Sequence, residues 1–269
     1  MKKIGLLIFV VSLMLFSCKK ETKIDIVTSE KAKEFIIDSV VVKDSVKVAD
    51  SLSLKYFDKL LVFPSIKEKT LLDSIYFAIP KLRDFTKEGI QAYLDTDKSN
   101  FYETTENDNK DWISEVGYAQ EWYQNNSMDV ISSKNDFLHI RYSASAYMGG
   151  AHDNYYFSER VFDLKNRKRF LLSDITSLDE SSLSKILMNN IDKIPGGTKD
   201  NEGSVANKEM LLIDEIPVTG NFYFDEKNLY FHYSPYEIAA FAAGDITIPV
   251  SWEEIGNTIK PEFKKRMNL

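Results

Sequence analysis

The chain has 269 residues, 43% hydrophobic and 13% aromatic, enough to bury a real core and too rich in Phe, Tyr and Trp for a mainly disordered protein. Asp and Glu outnumber Lys and Arg by 41 to 34, so no overall basic field exists to attract nucleic acid, and that partner class is not expected. The one cysteine excludes an internal disulfide framework and a Cys-cluster metal site.

The N-terminus reads as an address. Lys2 and Lys3 precede an apolar run from Ile4 to Phe16, which is shorter than the roughly 20 residues a spanning helix needs. Leu15-Phe16-Ser17-Cys18 resembles a bacterial lipobox. The resemblance implies that residues 1–17 are a signal peptide, cut before Cys18, whose sulfur then receives a diacylglyceryl group. Residues 18–49 read as the lipidated Cys18 and a tether, with a loosely alternating stretch from Asp44 to Leu54 that suits an edge strand. The expected domain spans 50–269. Inner or outer membrane, and which leaflet, stay open.

Within the domain, Leu54–Phe63 reads as the first true strand, ending at Pro64. Ser65-Ile66-Lys67-Glu68 has the form of a capping box, opening a helix with Leu71, Leu72, Ile75 and Ile79 at helical spacing. After Pro80, a second helical stretch carries Leu82, Phe85, Ile90, Tyr93 and Leu94, and the polar run Asp95–Lys110 reads as a loop. Tyr118–Ile131 suits a strand. Phe137–Met148 alternates cleanly, with Leu138, Ile140 and Tyr142 on one face and His139, Arg141 and Ser143 on the other. Gly149-Gly150 breaks that strand, and Tyr155–Leu164 forms the next, followed by a Lys165–Lys168 turn in which Asn166 supplies any unusual dihedral. Ser177-Leu178-Asp179-Glu180 reads as a second capping box, before a stripe of Leu183, Ile186, Leu187, Asn190, Ile191 and Ile194 that Pro195-Gly196-Gly197 stops. Asn221–Tyr233 reads as a hairpin, Tyr236–Ala243 as a short helix ended by Gly244, and Ile246–Val250 as a last strand. The fold class is α+β: an antiparallel sheet flanked by helices, in one domain behind the anchor.

Two stretches carry a family resemblance. One is Gly149-Gly150-Ala151-His152 with Tyr155-Tyr156 and Phe162-Asp163-Leu164; the other is Leu229-Tyr230-Phe231 with Tyr236-Glu237-Ile238-Ala239, Ala242-Ala243-Gly244 and Ile248-Pro249-Val250. Their order and spacing resemble the extracytoplasmic domain of RsiV-type anti-sigma factors. That domain also accompanies PdaC-type peptidoglycan deacetylases and recurs in envelope lipoproteins of unknown function. The resemblance implies a sensing or binding domain, whose ligand in RsiV-type proteins is lysozyme. An anti-sigma role needs a spanning helix and a cytoplasmic sigma-binding segment, and a deacetylase needs its separate catalytic domain; neither is read in this sequence. Two departures stand at turns: Lys165-Asn166-Arg167-Lys168 lacks the usual glycine, and Ala240 replaces the usual proline.

The chemistry-bearing residues are few. His139, His152 and His232 lack the spacing that puts two ligands on one helix face, so no metal or cofactor is expected. No Gly-x-Ser-x-Gly elbow or P-loop occurs, and no catalytic residue is assigned. His152 reads either as a ligand-facing imidazole, with Tyr155 beside it, or as a residue tying its own turn. Glu237, next to Tyr236, reads either as a ligand to sugar hydroxyls and a lone general acid, or as a cap. Trp112, Trp122 and Tyr123 suit sugar stacking or core packing, and His139 and His232 read as solvated or intersheet polar residues. Together these readings describe a lipid-anchored, non-catalytic envelope module binding a lysozyme-type muramidase or wall glycan, with His152, Tyr155, Tyr236 and Glu237 as candidate ligand contacts. The alternatives are an enzyme acting on envelope polysaccharide and a structural lipoprotein.

Overall fold

A computed structural model of the chain describes residues 35–269 other than Val116 and Glu202. The signal-peptide reading of residues 1–17, the lipidation of Cys18 and the tether as far as residue 34 lie outside the described residues. Strand structure begins ahead of the expected domain boundary. β1 (Asp38–Ala49) pairs antiparallel with β2 (Leu52–Val62), so the last part of the segment read as tether is an edge strand. Its Val40 and Val42 are buried and alternate with exposed neighbours, the period that sheet geometry imposes.

Two helices follow, α1 (Lys69–Ile75) and α2 (Lys87–Asn109). The first capping box does not form: Glu68 is itself the N-cap of α1 and makes no side-chain cap bond, while Ser65 sits in the preceding turn. α2 is capped by Thr86, whose hydroxyl accepts from the Gly89 amide at 3.1 Å. A Cβ at Gly89 would meet Asp84 at 2.3 Å, so only glycine fits this first turn. The expected loop 95–110 is the rest of α2. This half of the helix is polar because α2 buries only a narrow stripe of Ile90, Leu94 and Thr105, with Phe101 and Tyr102 half-buried. Burial of Ile90 and Leu94 against the sheet contributes about 1.5–3 kcal/mol each.

β3 (Gln120–Lys134), β4 (Phe137–Tyr147), β5 (Asn154–Asp163) and the two-residue β6 (Lys168–Arg169) complete a six-stranded sheet in the order β1-β2-β3-β4-β5-β6. One pair departs from the expected antiparallel pattern: β2 and β3 run parallel. The reason is the helical crossover through α1 and α2, which returns the chain to the end of the sheet where β2 began. Gly149 and Gly150 make the β4–β5 turn at φ of 89° and 113°, and a Cβ on Gly149 would press on Trp122 at 3.2 Å. In the β5–β6 turn the positive φ falls on Arg167 rather than Asn166. Asn166 donates instead to the Asp163 carboxylate.

The C-terminal part contains α3 (Leu172–Ile175), α4 (Glu180–Asn190), β7 (Phe222–Phe224), β8 (Asn228–Tyr233), β9 (Ile246–Ser251) and α5 (Pro261–Met267). β7-β8-β9 form a second, antiparallel sheet. Asp179, not Ser177, caps α4, accepting from the Ser182 amide at 2.9 Å. The expected helix 236–243 is irregular, with only Phe241–Ala243 turning as a 3-10 helix, because Tyr236 sits at φ 67° and Ala239 bridges to Leu211. The main cores lie on opposite sides of the large sheet. One packs α1 and α2 onto Tyr56, Met128, Ile140 and Tyr142; the other packs the small sheet, α4 and α5 around Phe137, Val161 and Phe231.

Candidate functional site

The face of the large sheet turned away from α2 is paved in register. Phe57, Asn125, Ser145 and Tyr155 are cross-strand neighbours on β2, β3, β4 and β5. The next row is Lys59, Ser127, Ser143 and Phe157, and the third brings together Asp129, Arg141 and Glu159. Small polar side chains in the middle and aromatic ones at the sides leave a groove of about 340 Å³, lined by Phe57, Asn125, Ser127, Ser145, Asp153 and Tyr155 among others. Tyr123 donates to the Asp153 carboxylate at 2.8 Å, tying the β4–β5 turn to β3 at one end of it. Lys59 and Asp129 pair at 2.6 Å across the other.

The wall along β5 is held by side chains of the small-sheet lobe. β6 covers only the end of β5, so the rest of that edge would expose unpaired backbone. Asn221 and Ser234 take the place of a strand. Ser234 Oγ accepts from the Phe157 amide at 2.9 Å, Asn221 Nδ2 donates to the Phe157 carbonyl at 3.0 Å, and Asn221 Oδ1 accepts from the Glu159 amide. Behind this wall a chain of polar side chains is centred on one buried carboxylate. Glu159 has no exposed surface; its carboxylate meets His139 Nε2 at 2.6 Å, Arg141 Nε at 2.6 Å and His232 Nδ1 at 2.9 Å. His232 Nε2 lies 3.0 Å from Asp245.

The titration of these groups follows from their partners. Burial would raise the Glu159 carboxyl, but hydrogen bonds from His139 and His232, and the Arg141 charge, outweigh it and hold it at about 2. Burial would lower His232; with a carboxylate on each ring nitrogen it is instead raised. Asp245 is held below the usual carboxylate range, first by its hydrogen bond with His232. His139 and His232 are thus the intersheet residues of the two readings, not the solvated ones: both are nearly sealed from solvent.

The four candidate contacts divide. His152, Tyr155 and Tyr236 gather round Phe241, the His152 ring stacking on it at 3.9 Å, Tyr236 lying 5.6 Å away and Tyr155 meeting it edge-on at 5.8 Å. Tyr155 is shared by this cluster and the groove wall. His152 also ties its own turn, Nδ1 donating to the Asp153 carbonyl at 2.7 Å. Glu237 does not join them: its carboxylate turns back to accept from the Ser234 amide at 2.7 Å, the capping role. Of the stacking candidates, Trp122 is buried, Trp112 packs on it at 5.6 Å with its outer side exposed, and Tyr123 is half-buried beside the groove. Among the described residues, no group of three or more His, Cys, Asp or Glu is disposed to hold a metal ion.

Sequence reasoning missed Glu159, Arg141, Asn221 and the serine-lined floor. A signal existed: reflecting the two strands about Gly150 sets Arg141 opposite Glu159 and Ser145 opposite Tyr155, which is the observed register.

A family model described as a protein of unknown function, DUF3298, matches residues 173–253. That span runs from α3 to β9 and omits the groove, whose lining residues lie between Phe57 and Phe157. The fold is similar to the crystal structure of a DUF3298 family member from Bacteroides fragilis NCTC 9343, at 19% identity and a TM-score of 0.60, covering 87% of this chain and 98% of that one. It is also similar to a DUF3298 family protein from Pseudomonas aeruginosa PAO1, at 13% identity and a TM-score of 0.51, covering 85% and 96%. A comparison with curated proteins finds no match.

Proposed function

We propose that this chain is a lipid-anchored protein of the bacterial envelope whose domain binds wall glycan, without turning it over, in the groove across β2–β5. One observation carries the reading: small hydroxyl and amide side chains, Asn125, Ser127, Ser143 and Ser145, lie in register between the aromatic rings of Phe57, Tyr155 and Phe157. Sugar rings offer an apolar face to an aromatic ring and hydroxyls to short polar groups, and this surface pairs both. The resemblance of the Gly149–Leu164 and Leu229–Val250 stretches to RsiV-type and PdaC-type extracytoplasmic domains supports a wall-facing binding role. The lipobox-like Leu15–Cys18 supports the anchor. The capped Glu237 carboxylate gives no support to turnover.

A second reading rests on charge. A formal charge of −7 favours attraction of a basic muramidase by long-range steering, which salt weakens. The test is sedimentation of the detergent-solubilised full chain with purified peptidoglycan, with calorimetry on soluble muropeptides and on lysozyme. Saturable glycan binding that survives moderate salt and falls at least tenfold in Tyr155→Ala supports the glycan reading. Equal binding by wild type and Tyr155→Ala, or saturable binding to lysozyme alone, overturns it.

A further inference from the structure

The opposite face of β5 carries an unrelated feature. Arg160 and Arg169 lie on one face, Arg169 being the cross-strand partner of Phe162, two residues along β5 from Arg160. Both are half-buried, and among the described residues neither has a carboxylate partner. Arg141, Arg167 and Arg266 differ: they meet Glu159, Glu68 and Asp163 respectively. Arg169 donates to the Gly220 carbonyl at 3.2 Å, and the Arg160 guanidinium lies over the Phe77 ring, 3.0 Å from its centre. The Nε atoms of both are buried without a hydrogen-bond partner. Burial and the neighbouring Arg169 charge together lower Arg160 to about 10. The Tyr142 hydroxyl, on the same face of the sheet, donates to the Ile75 carbonyl at 2.7 Å. Two half-buried like charges on one face of neighbouring strands, with buried donors unused, are unfavourable unless an anion joins them.

We infer that Arg160 and Arg169, beside the Phe77 ring, form an oxyanion site that takes a phosphate group. Guanidinium forks match the tetrahedral oxygens of phosphate bidentately, and Phe77, 37% exposed, marks the solvent side. The site lies across the sheet from the groove and does not rest on the glycan reading.

The test is calorimetry and thermal melting of the full chain in detergent, at matched ionic strength, with inorganic phosphate and with glycerophosphoglycerol, the deacylated headgroup of an anionic lipid. Wild type binds one of them saturably, and Arg160→Gln and Arg169→Gln each weaken that binding at least tenfold. Preference for inorganic phosphate assigns a free anion; preference for glycerophosphoglycerol assigns a lipid headgroup. In chloride alone, either variant melts at or above wild type, because one of two repelling charges is gone; saturating phosphate reverses that order. Binding that neither variant weakens, or variants melting below wild type in both buffers, overturns the proposal. Arg169→Lys, which keeps charge without the fork, is expected to recover only part of the affinity.

Discussion

Glu159 of the large sheet and His232 of the small sheet meet at 2.9 Å, both sealed from solvent. This is the polar joint of the two layers, and it is anchored on either side by His139 and Asp245. Removing the Glu159 carboxylate strips His139 and Arg141 of their carboxylate partner at this joint and leaves His232 with Asp245 alone. Glu159→Gln is therefore expected to destabilise the fold by about 3–5 kcal/mol, measured as the shift in urea unfolding at pH 7. An effect below about 1 kcal/mol would mean that the joint is solvated.

Stability should peak on the acid side. Glu159, held at about 2 against an ordinary 4.5, contributes stability that is present above 4.5 and lost as pH falls toward 2. His232 is raised, so its contribution is complete below 6.5 and lost as pH climbs through its folded value. A third group acts with His232. Asp58, packed under α2 beside Tyr56 at 2.7 Å, is pushed up to about 6 by burial, so stability declines as pH rises from 3.8 through 6. Together they set a maximum at about pH 4–5. Asp58→Asn should raise stability at pH 7 by about 1–3 kcal/mol and flatten the decline between pH 4 and 6, read from unfolding at a series of pH values. A variant no more stable than wild type at pH 7 would contradict this account of Asp58.

Tyr236 holds a left-handed backbone at φ 67° with its ring largely exposed. Such a conformation costs a non-glycine residue about 1–2 kcal/mol, against about 0.5–1.5 kcal/mol for ring contact with Phe241 and His152. Tyr236→Gly should then leave stability unchanged or raise it by up to about 1 kcal/mol, whereas the β-branched Tyr236→Val should lower it by about 1–2 kcal/mol. Thermal unfolding of both variants distinguishes strain from packing.

The groove floor can be filled without touching either core. Ser145 is half-buried between Asn125 and Tyr155. On the proposed glycan reading, Ser145→Trp should abolish binding to peptidoglycan while unfolding stability changes by less than about 1 kcal/mol, as expected for a residue outside the packed interior. Retained binding with the floor blocked would overturn the groove as the proposed site.

The strand pairs β3–β4, β4–β5 and β7–β8 are legible because alternation and short turns, glycine in β4–β5 and Asn or Asp in the other two, act over a few residues. The long helix α2 was half-read, since Asp95 to Asn109 offers almost no apolar stripe and is helical through continuity with Ile90 and Leu94. The parallel pairing of β2 with β3 was not legible, because no local pattern encodes which distant strand a strand meets. Three of the four candidate contacts converge because the Gly149-Gly150 turn and the Tyr236 turn both lean on Phe241, a residue the motifs passed over. Asn221 and Ser234 escaped notice because their role is to mimic a strand edge, which only the assembled sheet reveals.

The parallel pair has a kinetic consequence. Lys59 and Asp129, which clasp β2 to β3, are 70 positions apart, whereas β3, β4 and β5 zip through short turns. Closure of the long loop is paid in chain entropy before any contact rewards it, so the β1–β2 hairpin joins last. Until it does, β3 offers a long open edge to any neighbouring chain, and a newly synthesised molecule is most vulnerable to association in that interval.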